Sequence, residues 1–265
     1  RDVSGLEEVK EQIRLKLIYP FSHPAEAERY GIRSGGGILL YGPPGTGKTL
    51  IARATAGELD ASFFTAKPSE LMSKWVGEAE QNIQRLFTAA RACPRAVIFL
   101  DEVDALLPAR RGSNSSVMQR VVPQFLAELE GFGGRSETLL FIGATNEPWS
   151  IDPAALRPGR FDEKIYVPLP DAAARRRILE LNLDSRPLAA DVDLDTLTVQ
   201  LAGYSGADIV QTCLRASTSA FLDAVEQAVM RNIGCNDFEE ALAAVRPSVT
   251  SKDLQRYERF SQGTN

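Results

Sequence analysis

Short uninterrupted apolar runs alternate, over the first two-thirds of the chain, with longer stretches in which apolar residues recur every three or four positions. The runs are Ile38–Tyr41, Phe63–Ala66, Val97–Leu100, Leu139–Ala144 and Ile165–Val167. Each is too short for a helix, and together they predict five buried strands. Between them, Leu50–Leu59, Glu78–Ala92 and Met118–Glu130 carry helical spacing. Strands that alternate with helices predict a parallel sheet covered on both faces. In such sheets ligands bind beyond the carboxyl ends of the strands.

The pattern changes after Pro168-Leu169-Pro170-Asp171. Ala174–Leu183, Asp195–Leu201, Ala207–Val229 and Phe238–Val245 read as helices, punctuated by Gly203, Gly206, Gly234 and Pro247. Thr250 and Asp253 have capping-box spacing ahead of Leu254–Phe260 and predict a last helix from about Ser251. No strand is expected here. The chain thus divides into an α/β domain at residues 1–170 and a smaller, all-helical domain at residues 171–265.

Gly42-Pro43-Pro44-Gly45-Thr46-Gly47-Lys48-Thr49 joins the first strand to the first helix. This G-x-x-x-x-G-K-T loop has the strand–loop–helix setting that a phosphate cradle requires. Glycines let successive backbone N–H groups turn inward toward an anion, and the helix N-terminus adds partial positive charge. Lys48 can reach terminal phosphates, and Thr49 can place its hydroxyl on Mg2+. The strand Val97–Leu100 ends in Asp101-Glu102. A strand-end carboxylate at Asp101 suits hydrated magnesium, and Glu102 suits activation of water. Adjacent strand residues point in opposite directions, so the two carboxylates can take different roles. Asn146, after the next strand, can lie beside a γ-phosphate. Arg157 and Arg160 flank Pro158-Gly159 before the fifth strand, where they can reach a neighbouring subunit's phosphates. The N-K-x-D segment that reads guanine is absent from the sequence, which favours ATP over GTP.

Composition narrows the classes. The 265 residues, 44% hydrophobic and 25% charged, are those of an ordinary globular chain. A net charge of −5 disfavours a broad nucleic-acid footprint. No segment has the apolar length of a membrane span. The widely spaced Cys93, Cys213 and Cys235 fit free thiols in a reducing compartment, hence a cytoplasmic location. The lone His23 and the scattered cysteines argue against a metal cage. The opening Arg1-Asp2-Val3-Ser4-Gly5 reads as the cut edge of a longer protein.

Taken in order, Gly42–Thr49, Ile98–Asp104, Ala144–Asn146, Ile151-Asp152-Pro153, Leu156–Asp162, Gly203–Asp208 and Arg246–Val249 resemble the AAA ATPases. They look like the group that contains valosin-containing protein, katanin, spastin and the ESCRT-disassembling ATPases. The resemblance covers essentially the whole chain. It implies an ATPase that works as a nucleotide-dependent homohexamer, engaging a polypeptide substrate or adaptor through a region upstream of this segment. Gly42–Thr49 would be Walker A, with Leu50 beside it, and Asp101-Glu102 the end of Walker B. Asn146 would be sensor 1, and Arg157 and Arg160 the arginine fingers. Asp2 and Ser4 would border the base on one side, and Gly206 and Ala207 on the other. Asn182 stands where some relatives place a histidine against the nucleotide. Lys74, Trp75 and Val76 would form the pore loop that grips extended polypeptide, with Arg110 and Arg111 in a second pore loop. The Pro-Gly spacing between the arginines points to valosin-type rings, whereas Lys74-Trp75-Val76-Gly77 points to the severing and ESCRT types. A nucleotide-switched scaffold that threads nothing remains the alternative.

Overall fold

Val9, Ile13, Leu17 and Phe21 recur every four residues and all are buried. A four-residue period drifts off the face of a 3.6-residue helix. The chain accommodates it with a wide π-helical turn, Arg14–Ile18, between helices α1 (Glu7–Ile13) and α2 (Tyr19–Ser22). Helix α3 (Pro24–Arg29) follows, opened by a proline at its first position. The strand-and-helix alternation of the sequence gave no sign of these elements. The computed structural model describes residues 6–32, 36–72, 78–109, 118–130, 139–157, 159–226, 228 and 230–263.

Strand β1 (Gly36–Tyr41) leads into helix α4 (Lys48–Glu58), then β2 (Ser62–Ala66), α5 (Pro68–Leu71), α6 (Glu78–Arg91) and β3 (Ala96–Leu100). Helices α7 (Val103–Leu106) and α8 (Met118–Glu130) precede β4 (Leu139–Thr145) and β5 (Phe161–Tyr166). The strands form one parallel sheet in the order β2-β3-β4-β1-β5. Strands β1, β3 and β4 are buried at every position, as strands covered on both faces must be. The last strand begins earlier than the apolar run Ile165–Val167 indicated, because it lies at the sheet edge. Phe161 and Ile165 face the core while the charged residues between them stay wet or half-wet, so alternation replaces the continuous apolar signal. Phe141 of β4 centres the core, 5.5 Å from Phe125, 5.6 Å from Phe161 and 6.3 Å from Phe87 between ring centroids. Such pairs each contribute about 0.5–1.5 kcal/mol beyond area burial.

The remaining helices are α9 (Ala172–Leu183), α10 (Leu194–Gln200), α11 (Gly206–Glu226), α12 (Cys235–Ala244) and α13 (Ser251–Ser261). Their core gathers Leu179, Leu183, Ile209, Cys213, Ala216 and Phe238. Among the described residues this region has no strand, only a parallel bridge between Leu188 and Ile233. Asp171 and Asp193 cap α9 and α10 through backbone N–H groups. The expected capping box forms: Thr250 N donates to Asp253 Oδ2 and Asp253 N to Thr250 Oγ1. The described residues fall into two compact units: one of 8–42, 48–167 and 260–263, the other of 6–7, 43–47 and 168–259.

Arg231 ties the end of α11 to α12. Its Nε lies 2.7 Å from Asp223, and its Nη2 lies 2.8 Å from Asp237. Asp237 is 4% exposed and also accepts the Gly234 N–H. The Arg231 hydrogen bond holds the Asp237 carboxyl down to about 2, from an ordinary 3.8. A depressed acid stabilises the fold above its unfolded value, and that stabilisation disappears as pH falls through the folded value. Asp237→Asn is therefore expected to lower the unfolding temperature at pH 7 by roughly 5 °C. The gap should close between pH 4 and pH 2, measured by circular dichroism.

Candidate functional site

The loop Gly42–Thr49 connects β1 to α4, at the carboxyl end of a strand that lies between β4 and β5. Its conformation needs glycine at two points above all. At Gly42 (φ 153°) an added Cβ would stand 2.1 Å from the Val167 carbonyl oxygen. At Gly45 (φ 73°) it would stand 2.8 Å from both Ala207 Cβ and Ser205 Oγ. The turn is fixed from within by Thr46 Oγ1, which donates to the Pro43 carbonyl at 2.9 Å. Tyr41, just before the loop, packs between Tyr166 and Phe260 at 5.4 and 5.1 Å.

Lys48 is 7% exposed, and its Nζ donates to the Gly42 carbonyl at 2.9 Å. Burial pushes this amine down to about 8, opposed by the negative charges of Asp101 and Asp104. As the lysine of a G-x-x-x-x-G-K-T loop, Lys48 carries an amine suited to contact phosphate oxygens. Thr49 follows, and its Oγ1 donates to Asp101 Oδ2 at 3.2 Å. Leu50, the next residue, is 59% exposed.

Asp101 and Glu102 lie past the end of β3 rather than on it. Strand pleating therefore does not set the directions of the two side chains. Glu102 is left-handed, at φ 52° and ψ 46°, and forms the N-cap position of α7. Its own N–H donates to Asp101 Oδ1 at 3.0 Å. A glutamate in this region stores strain of the order of 1–3 kcal/mol, a cost that clusters at functional sites. The side chain of Glu102 is exposed, while Asp101 is half-buried against Thr49.

Asn146 is half-buried immediately after β4, the strand between β3 and β1. Arg157 is exposed on the loop before β5, and Arg160 donates from Nη1 to the Ala154 carbonyl at 2.7 Å. In the helical unit, Ala207 N donates to the Gly45 carbonyl at 3.2 Å. Gly206 is equally close, since an added Cβ would reach the Gly45 carbonyl oxygen at 3.0 Å. Asn182 turns its amide back into α9, donating to the Ile178 carbonyl at 2.8 Å. Asp2, Ser4, Lys74, Trp75, Val76, Arg110 and Arg111 lie outside the described residues.

Two groups escaped the sequence reading. Asp208 accepts from Ser205 N, Ser248 N and Ser248 Oγ, and these bonds hold its carboxyl below the usual range against the cost of burial. It thereby fixes the turn that meets Gly45. Asp104, three residues beyond Asp101, pairs with Thr145. Both aspartates sit inside recognisable motifs, and only their spacing hinted at them.

The donor set suits a hard cation shared with phosphate. Thr49 and Asp101 offer two oxygens in contact, and no group of three His, Cys, Asp or Glu occurs among the described residues. Magnesium is commonly held this way, by one or two side chains, waters and phosphate oxygens, rather than by an all-protein cage. Among the described residues no helix is long and apolar enough to cross a membrane.

Comparison with known proteins agrees with this chemistry. Residues 38–169 match the family model described as "ATPase family associated with various cellular activities (AAA)". Residues 220–263 match the "Vps4 C terminal oligomerisation domain". A "Cell division cycle protein 48 homolog" of Archaeoglobus fulgidus is 42% identical over 270 residues, spanning 98% of this chain. The chain spans 37% of the length of that relative.

Proposed function

The chain belongs to the AAA ATPase family, and on that premise we propose that it is one subunit of a ring that spends ATP hydrolysis on remodelling protein substrates. The observation that carries the reading is the Thr49–Asp101 contact, which joins the phosphate loop to the acidic end of β3 across 52 residues. Lys48 donates to the terminal phosphate. Thr49 and Asp101 would hold magnesium, which would supply positive charge to offset that of the phosphates. Glu102 accepts the proton of the attacking water, and the Asn146 amide holds that water against the γ-phosphate. The contact of Gly206 and Ala207 with Gly45 supports placing the adenine beside them. Leu50, Asp2, Ser4 and Asn182 would complete the base contacts.

Self-assembly has separate support. Val210, Leu214, Phe221, Leu222 and Val225 form one stripe of α11 and are 41% to 64% exposed, while its opposite face fills the core. A helix apolar on two faces calls for cover on both. The oligomerisation-domain match overlaps the end of that stripe. A homohexamer would bring Arg157 and Arg160 of one subunit to the phosphates of the next. The free thiols of Cys93, Cys213 and Cys235 support a cytoplasmic setting.

Energy output is assigned to Lys74, Trp75 and Val76, with Arg110 and Arg111 as a second pore loop. An aromatic can intercalate among the side chains of any extended chain, and the arginines favour acidic segments. Trp75→Ala is expected to keep ATPase activity within about twofold while abolishing unfolding of a fluorescent reporter with an unstructured acidic tail. Unchanged unfolding in this variant would instead support a nucleotide-switched scaffold.

A further inference from the structure

Thr145 ends β4 and is 1% exposed, yet it carries a hydroxyl. That hydroxyl has two partners. It donates to Asp104 Oδ1 at 2.5 Å and accepts the Glu147 backbone N–H at 2.9 Å. The second bond closes a threonine turn, with Asn146 at its centre. Downstream, the turn is pinned again, since Ser150 donates from its backbone and its hydroxyl to Glu147.

The partner strand of this arrangement is the segment that follows Glu102. Asp152 N donates to the Leu107 carbonyl and Ala109 N to the Ser150 carbonyl, both at 2.8 Å. Pro108 and Ile151 form an antiparallel bridge between the same segments. The chain after Glu102 and the chain after Asn146 are thus stitched side by side. The Thr145–Asp104 bond closes this seam at the end nearest Asn146.

We propose that Asp104, acting through Thr145, is a positioning residue that fixes the Asn146 amide for ATP hydrolysis. The role rests on reading Asn146 as the group that holds the attacking water. Threonine suits the task because one hydroxyl donates and accepts at once. Valine keeps its shape and does neither. With the hydroxyl gone, the turn loses the bond that sets its height above the sheet. A displacement of about 1 Å in a positioned group can cost on the order of 10²-fold in rate.

The test is steady-state ATP hydrolysis by the full chain carrying Thr145→Val, Thr145→Ser or Asp104→Ala, each alone and combined with Asn146→Ala. Thr145→Val and Asp104→Ala are expected to lower kcat about 10-fold or more, with KM for ATP within about twofold. Thr145→Ser, which restores the hydroxyl, recovers most of the loss. On the Asn146→Ala background neither substitution adds a further loss, because both act through that residue. Asp104 is only half-buried, so its alanine variant carries the test should Thr145→Val fail to fold. A parental kcat in Asp104→Ala, or losses that add fully to that of Asn146→Ala, overturns the positioning role. A parental rate in Asn146→Ala overturns the reading of Asn146 itself.

Discussion

Glu102→Gln is expected to leave nucleotide binding intact and to lower ATP hydrolysis by about 10²–10⁴-fold, the range that a positioned general base contributes. The substitution keeps the length and shape of the side chain. It removes the one property the proposed role uses, since an amide cannot take a proton from water. Binding is expected to be spared because the groups proposed to meet phosphate are elsewhere: Lys48, which donates to Gly42, and Thr49, which donates to Asp101. The left-handed backbone at Glu102 sharpens the expectation. It takes Glu102 off the strand with its side chain exposed, while Asp101 is occupied by Thr49 and by the Glu102 N–H. On this proposal the two adjacent carboxylates have separate tasks. Phosphate release under saturating ATP, together with binding of a fluorescent nucleotide, checks both halves. Turnover at the parental rate would remove Glu102 from the role.

Arg160→Ala is expected to cost about 10³–10⁵-fold in hydrolysis, but only in the assembled ring. The Ala154 carbonyl fixes one edge of the guanidinium on the loop before β5, and Arg157 stands exposed nearby. An arginine that acts on the next subunit has a signature that an arginine acting on its own subunit lacks. Two inactive variants, Arg160→Ala and Glu102→Gln, regain activity when mixed. At a mixed interface one subunit supplies Glu102 and its neighbour supplies Arg160. Random assembly of equal amounts in a closed ring makes about a quarter of the interfaces complete, and the mixed activity should approach that fraction of the parental rate. Absence of any recovery, with mixed assembly verified by native mass spectrometry, would mean that Arg160 acts within its own subunit.

Much of the fold was legible because its signals are local. Buried parallel strands appear as uninterrupted apolar runs, and β1, β3 and β4 were found this way. The edge strand β5 was found late and short, because its half-wet face breaks the run with Asp162, Glu163 and Lys164. The first helices were missed altogether. Their four-residue period matches neither a regular helix nor a strand, and only the widened turn at Arg14–Ile18 makes sense of it.

The site divides along the same line. The sequence by itself determined the phosphate loop, the acidic strand end, the amide after β4 and the paired arginines, because each is a contiguous motif whose residues lie a few bonds apart. Tertiary structure alone decided which of them meet. Thr49 reaches Asp101 across 52 residues, and Thr145 reaches Asp104 across 41. These meetings depend on β3, β4 and β1 lying side by side, and apolar runs of similar length say nothing about strand order. Ser205 and Ala207 against Gly45, and the left-handed turn at Glu102, belong to the same class. A backbone conformation held against its own preference is set by the packing around it, and that packing comes from residues distant in the chain.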